Sequence, residues 1–141
     1  MSNKLVLIDT SVWILFLRKH PPPVVEEEVG RLLAEDSVAI SPMIRLELLG
    51  GTRTSAEFNR LQGRLDALHR LPADEATWDK AAELAFLLRQ QGKVIPYTDL
   101  LIGAAAIVAD VLLLHADRHF DLMAEDSNLR VRSMVRQEGE E

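Results

Sequence analysis

From residue 4 onward, short unbroken apolar runs alternate with longer stretches in which apolar residues return every three or four positions. Leu5, Val6, Leu7 and Ile8 form the first such run, closed by Asp9. After Thr10 and Ser11 come Val12, Trp13, Ile14, Leu15 and Phe16, so a buried strand feeds directly into a helix. Pro21, Pro22 and Pro23 stiffen a loop. Val25, Val29, Leu32 and Leu33 then share one face of a helix over Val24 to Glu35, with Glu26, Glu27 and Glu28 in its first turn, where the helix dipole favours anions. Val38 to Ile40 reads as a second strand, and Pro42 opens a helix through Leu49 that Gly50 and Gly51 close. Phe58, Leu61, Leu65 and Leu68 mark one face of another helix, with Arg60 and Arg64 on other faces.

Leu68 to Leu71 reads as a third short strand. Trp78, Ala81, Ala82, Ala85 and Leu88 predict the buried stripe of a helix that ends near Gly92. Behind Asp99 the chain is apolar on every side as far as Ala109, which predicts an enclosed helix through the centre of the fold. Val111 to Leu114 is a further buried strand ending at His115-Ala116-Asp117, and Leu129 to Val135 reads as an edge strand. Strands apolar on both faces and separated by helices give an α/β fold: one domain over residues 1–136, with a mainly parallel central sheet of about four to five strands flanked by helices. Residues 137–141 read as a solvated acidic tail. Trp13, Phe16, Phe58, Trp78, Phe86 and Phe120 all have apolar neighbours and are assigned to the core.

Composition narrows the chemistry. The 141 residues suit a single domain, and 48% hydrophobic with 27% charged residues places the chain among globular proteins. The absence of cysteine excludes disulfides, thiolate nucleophiles and Cys-rich zinc sites, and suits a reducing compartment. No secretory apolar segment follows Met1, and the run from Leu100 to Ala109 falls far short of the roughly 18 residues of a membrane span, so a cytoplasmic location is expected. There is no Gly-rich loop before Lys-Ser/Thr and no Gly-x-Ser-x-Gly. A phosphoacceptor receiver domain would need paired acids after the first strand and a late Lys; Thr10 follows Asp9, and no Lys lies beyond Lys93. The formal net charge of −6 opposes non-specific attraction to polyanions, so any nucleic-acid binding has to be local.

Four acids stand out. Asp9 and Asp117 each lie just beyond the carboxyl end of a buried strand, where open α/β sheets place ligands; each also suits a helix N-cap, and Asp121 is a second acid close to Asp117. Glu47 points away from Arg45 and lies on the apolar flank of its helix, so it needs a distant partner or a metal. Asp99 opens a helix with no further polar residue until Asp110; Thr98 is an alternative cap that would free Asp99 to face a site. Carboxylates gathered in this way repel one another, and the usual compensation is a hard divalent cation, Mg²⁺ or Mn²⁺. His115 and His119 have the spacing of paired metal ligands but straddle a strand end and a turn, without the Cys or adjacent Glu of a zinc site.

Four segments carry a family resemblance: Leu7-Ile8-Asp9-Thr10-Ser11, Ile44-Arg45-Leu46-Glu47-Leu48, Tyr97-Thr98-Asp99 with its apolar continuation, and Leu114-His115-Ala116-Asp117-Arg118-His119-Phe120-Asp121. In this order the chain resembles PIN-domain ribonucleases of the VapC toxin type from residue 4 to about residue 124. The resemblance implies a single PIN-like domain, a metal-dependent endoribonuclease acting on RNA, a small antitoxin partner and a homodimer. It implies Asp9, Glu47, Asp99 and Asp117 as catalytic and metal-binding acids, with Ser11 and Thr98 as hydrogen-bonding helpers and Asp121 as an auxiliary acid. At His119 related sequences often carry another Asp. Tyr97, beside Asp99, is placed to stack on a base, and Arg53, Arg60 and Arg64 could line an RNA path, although a charged helix face is more often merely solvated. The competing reading is a non-catalytic PIN-like module that binds metal or a protein partner without cleaving RNA.

Overall fold

The computed structural model describes residues 4–135; the assigned tail at 137–141 lies outside them. Val6–Ile8 forms β1, and the chain enters helix α1, Thr10–Phe16, after a single residue, Asp9. Helix α2 spans Pro23–Ala34 and strand β2 Val38–Ile40. Helix α3 covers Pro42–Gly50, α4 Ser55–Asp66, and the two residues His69–Arg70 make β3. Helices α5, Glu75–Gln90, and α6, Tyr97–Ala109, precede β4, Leu112–His115; α7, Arg118–Glu125, and β5, Val131–Ser133, complete the order.

The five strands pair in the order β3-β2-β1-β4-β5, and every pairing is parallel. The register sets Val6 beside Val38 on one side and beside Leu112 on the other. The strands are apolar on both faces because helices cover both: Leu7, Ile8, Ala39, Ile40, Leu113 and Leu114 are all buried. The chain winds outward from β1 through β2 to β3, then returns to the other side of β1 for β4 and β5. That reversal leaves a crevice at the carboxyl ends of β1 and β4, the place where open parallel sheets bind ligands.

Helix α6 is the enclosed helix expected from its composition, with Leu100, Ile102, Gly103, Ala104, Ala105 and Ala106 buried. Gly103 permits its approach to α7: a Cβ there would run into the sulfur of Met123, itself fully buried. The C-cap of α6, Asp110, has φ 55° and ψ 50°, a left-handed stop held by Arg130, which donates to the Asp110 carbonyl at 2.9 Å and to its carboxylate at 3.1 Å.

Three expectations change. The buried face of α5 is Thr77, Ala81, Leu84 and Leu88, while Trp78 is 58% exposed and Ala82 lies in solvent. Of the six aromatic residues assigned to the core, Trp13 and Phe120 are buried and Phe16 packs partly against the core; Phe58 and Phe86 are exposed, the latter by 63%, like Trp78. Residues 118–125, where Asp117 leaves a turn or a capped helix open and the sequence places His119 in a turn, form the helix α7, which buries Phe120 and Met123. No helix among the described residues is long and apolar enough to cross a membrane.

Candidate metal centre

Asp9 is placed by a one-residue connection. One residue separates β1 from α1, so its backbone N–H still bonds to the Leu114 carbonyl at 2.9 Å while its side chain already caps the helix. Its Oδ2 accepts from the Ser11 N–H at 2.9 Å and from the Ser11 hydroxyl at 2.5 Å. The same hydroxyl accepts from the Ala116 N–H at 2.9 Å, which ties the corner after β1 to the corner after β4. Asp9 Oδ1 is buried without a hydrogen-bond partner, and the residue is only 3% exposed. Burial raises its pKa most; the Ser11 bonds oppose this, and the charge of Asp117 adds to it.

Asp117 caps α7, its Oδ1 accepting from the His119 N–H at 2.9 Å. Its own N–H donates to His115 Nδ1 at 3.1 Å, which fixes the tautomer of that fully buried ring: the proton is on Nε2, directed at Asp121 Oδ1 3.1 Å away. Asp121 is thus turned toward His115 and is not drawn in among the other acids.

Asp99 stands in the first turn of α6. His119 reaches across from α7 and sets Nδ1 2.9 Å from Asp99 Oδ2 and 3.3 Å from Asp117 Oδ1. The Asp99 side chain is 14% exposed and that of His119 42%. Burial raises the pKa of Asp99 most; the His119 bond opposes this, while the charges of Asp117 and Asp9 push further upward. The three aspartates therefore share one field although they come from three separate segments. Glu47, half-buried on α3, accepts from the Thr10 hydroxyl at 2.7 Å and so stands beside Asp9 through its neighbour.

The remaining predicted residues fall into two groups. Ser11 is fully engaged, as described. Thr98 is exposed and does not cap α6: that helix starts at Tyr97 behind Pro96 and has no side-chain cap at all. Tyr97 is exposed two residues before Asp99. Arg53, Arg60 and Arg64 are exposed along α4 and the turn before it. The N-cap that Asp9 suits in the sequence is the one it forms, at the start of α1. Sequence reasoning missed Thr10 as the partner of Glu47 and His119 as the group between two acids. The signals for His119 were its spacing from His115 and its position two residues beyond Asp117, and neither said that it would lie between two acids.

These atoms suit a divalent cation. One ligand atom each from Asp99, Asp117 and His119 lies within 4.8 Å of the others, and Asp9 brings a buried oxygen with nothing to accept from. The donors are hard carboxylate oxygens with one imidazole, a set for oxygen-preferring divalent ions.

Comparison with known proteins agrees with this geometry. The PIN domain family model matches residues 6–126. Ribonuclease VapC11 of Mycobacterium tuberculosis is 31% identical over 133 residues, covering 92% of this chain and 98% of that protein. Among solved structures, VapBC2 from Rickettsia felis bound to a promoter DNA fragment superposes with a TM-score of 0.76 at 22% identity, covering 92% of this chain and 98% of that one. The DNA-bound VapBC of Salmonella typhimurium gives 0.76 at 19%, with 93% and 98% covered. A sheet with its acids at the β1–β4 crevice, a family model spanning nearly all of it and a relative matched end to end make this chain a member of the PIN domain family, akin to the VapC ribonucleases.

Proposed function

We propose that this chain is a metal-dependent endoribonuclease that hydrolyses RNA phosphodiester bonds as the toxin of a toxin-antitoxin pair, in the cytoplasm. The observation that carries the reading is the convergence of Asp9, Asp99 and Asp117 at the crevice between β1 and β4, with a buried Asp9 oxygen left unpartnered. Asp9, Asp99 and Asp117 hold the ion, Mg²⁺ or Mn²⁺, and Glu47 adds a fourth carboxylate through the corner at Thr10. Once bound, such an ion polarises phosphoryl oxygens and offsets the charge that grows on them during in-line displacement. Ser11 fixes which Asp9 oxygen is engaged and which is free, and His115 fixes the backbone from which Asp117 projects. Neither residue need touch RNA to matter.

The net charge of −6 is met locally. The cation neutralises the acids where the phosphate must come, and the exposed Arg53, Arg60 and Arg64 supply positive charge along α4 for the strand to follow. Tyr97 offers a ring for base stacking at the same edge. A small basic antitoxin segment laid over the acids would silence the site, and the exposed Trp78 and Leu46, which line an apolar groove between α3 and α5, support a homodimer. Sedimentation at micromolar concentration should give twice the chain mass; a stable monomer would remove the dimer from the proposal.

The deciding experiment is cleavage of a mixed RNA pool. EDTA should abolish it, and Mg²⁺ or Mn²⁺ should restore it. Asp9→Asn should lower the rate by at least about tenfold, a barrier increase of ~1.4 kcal/mol. Cleavage that persists in chelator would overturn the mechanism; metal binding without any cleavage would leave a non-catalytic PIN module.

A further inference from the structure

His119 stands in the acid cluster between Asp99 and Asp117, and its geometry goes beyond that of a counter-ion. Its Nδ1 lies 2.9 Å from Asp99 Oδ2 and 3.3 Å from Asp117 Oδ1. In an octahedral site with bonds of about 2.1 Å, adjacent donors are about 3.0 Å apart. The imidazole nitrogen therefore already stands at about the spacing of a neighbouring donor from each of the two carboxylate oxygens. In the metal-free chain a hydrogen bond joins Nδ1 to Asp99 Oδ2, so one shared proton occupies the space between them. A divalent cation can take the place of that proton while the three side chains barely move. Two further observations agree. The His119 side chain is 42% exposed on the first turn of α7, free to adjust by a few tenths of an ångström, and the buried Oδ1 of Asp9 has no other partner.

We infer that His119 is a direct ligand of the metal, through Nδ1, and that this nitrogen shifts the preference of the centre from Mg²⁺ toward first-row transition ions such as Mn²⁺. The physical reason is ligand softness: Mg²⁺ strongly prefers oxygen and gains little from imidazole, whereas the transition ions accept it readily. The inference rests on the metal-dependent reading of the same site and concerns which atoms hold the ion.

The test needs no RNA. Full-length protein is loaded with Mn²⁺ and studied by pulsed EPR, where a directly bound imidazole gives strong ¹⁴N modulation. The modulation should be present in wild type and absent in both His119→Asp and His119→Gln, each checked for a cooperative thermal transition. Competition between Mn²⁺ and Mg²⁺ supplies a second reading. The ratio of the two dissociation constants should move toward Mg²⁺ by roughly tenfold in His119→Asp, which restores an all-oxygen site. Bound Mn²⁺ without nitrogen coupling in wild type, or an unchanged ratio in His119→Asp, would overturn the assignment and leave the nuclease reading intact. Failure of wild type to bind Mn²⁺ at millimolar concentration would overturn both.

Discussion

Asp99→Asn exchanges one oxygen for an amide nitrogen, and each consequence has a sign that can be worked from the structure. Asp99 lies in the first turn of α6, so the change forfeits about 0.3–1 kcal/mol of interaction with the helix dipole. It also makes the His119 bond a neutral one, a further loss of about 1 kcal/mol. Against these stands an ionised carboxylate 14% exposed, beside Asp117 and Asp9, and the effective desolvation penalty of a buried ion is several kcal/mol. The upward pKa shift has the same sign, because burial outweighs the His119 bond. In EDTA at neutral pH the variant should therefore melt above wild type, by about 4 °C for each kcal/mol gained in a chain of this size. Linkage sets the pH dependence. A carboxyl whose pKa is raised by folding binds its proton more tightly in the native state, so stability is lost as pH rises from the unfolded value of 3.8 through the raised one. At pH near 4 the difference between the two proteins should accordingly shrink. With Mg²⁺ or Mn²⁺ at about one hundred times its Kd, wild type gains about 2.7 kcal/mol and the variant less, and the order should reverse. Calorimetric melts at both pH values, in chelator and in metal, give the four comparisons. Wild type melting above the variant in EDTA at neutral pH would refute the reasoning.

Three other outcomes follow from single contacts. Ser11→Ala removes a hydroxyl that donates to Asp9 and accepts from Ala116, so denaturant unfolding should show a loss of about 2 kcal/mol and RNA cleavage a drop of at least about tenfold. Gly103→Ala forces a methyl into the buried Met123 side chain and should cost about 1–3 kcal/mol with metal affinity unchanged, as titration of Mn²⁺ would register. Replacing Arg53, Arg60 and Arg64 together by Ala should weaken RNA binding and flatten its dependence on salt while leaving metal binding alone; an unchanged salt slope would remove α4 from the RNA path.

Much of the fold was legible because its signals are local. Val38 to Ile40 is a short apolar run with β-branched residues at both ends, and the strand occupies those three residues. The helix from Pro42 starts where proline suits a first turn. In α5 the same reasoning placed Ala81 and Leu88 correctly but put Trp78 and Ala82 on the buried face, because two apolar series run along the helix at three- and four-residue spacing. Ala81 with Leu84 and Leu88 is buried; Trp78, Ala82 and Phe86 are not. Periodicity identifies a helix, but a helix apolar on two faces does not say which one meets the sheet. Helix α7 was legible only as one of two readings of Asp117, turn or helix cap, because eight residues with Phe120 and Met123 as their buried pair offer too little pattern to decide. Asp9 and Asp117 were legible from their positions at strand ends, Glu47 and Asp99 from their places on helices, but their partners were not. Ser11 meets Ala116 across 105 positions and Thr10 meets Glu47 across 37, and no local rule reaches that far.

The capping and metal-binding readings of these aspartates, opposed when only the sequence is considered, are compatible in the folded chain. A carboxylate has two oxygens, and Asp9 divides them: Oδ2 holds the first turn of α1 through Ser11, while Oδ1 stays buried and unpartnered. Asp117 caps α7, and Asp99 lies in the first turn of α6. Three helices therefore begin at the crevice, and the positive ends of their dipoles offset part of the mutual repulsion of the acids before any cation arrives. This arrangement decides how the site must be probed. Asp9→Ala or Asp117→Ala removes a cap along with a ligand, and the lost cap alone costs about 1 kcal/mol, so a fall in activity would mix misfolding with lost chemistry. Asn caps a helix about as well as Asp; it removes the charge and turns one ligand oxygen into an amide nitrogen while keeping the cap. If the acids act through the cation, Asp9→Asn and Asp117→Asn should keep the fold and lose both metal affinity and cleavage.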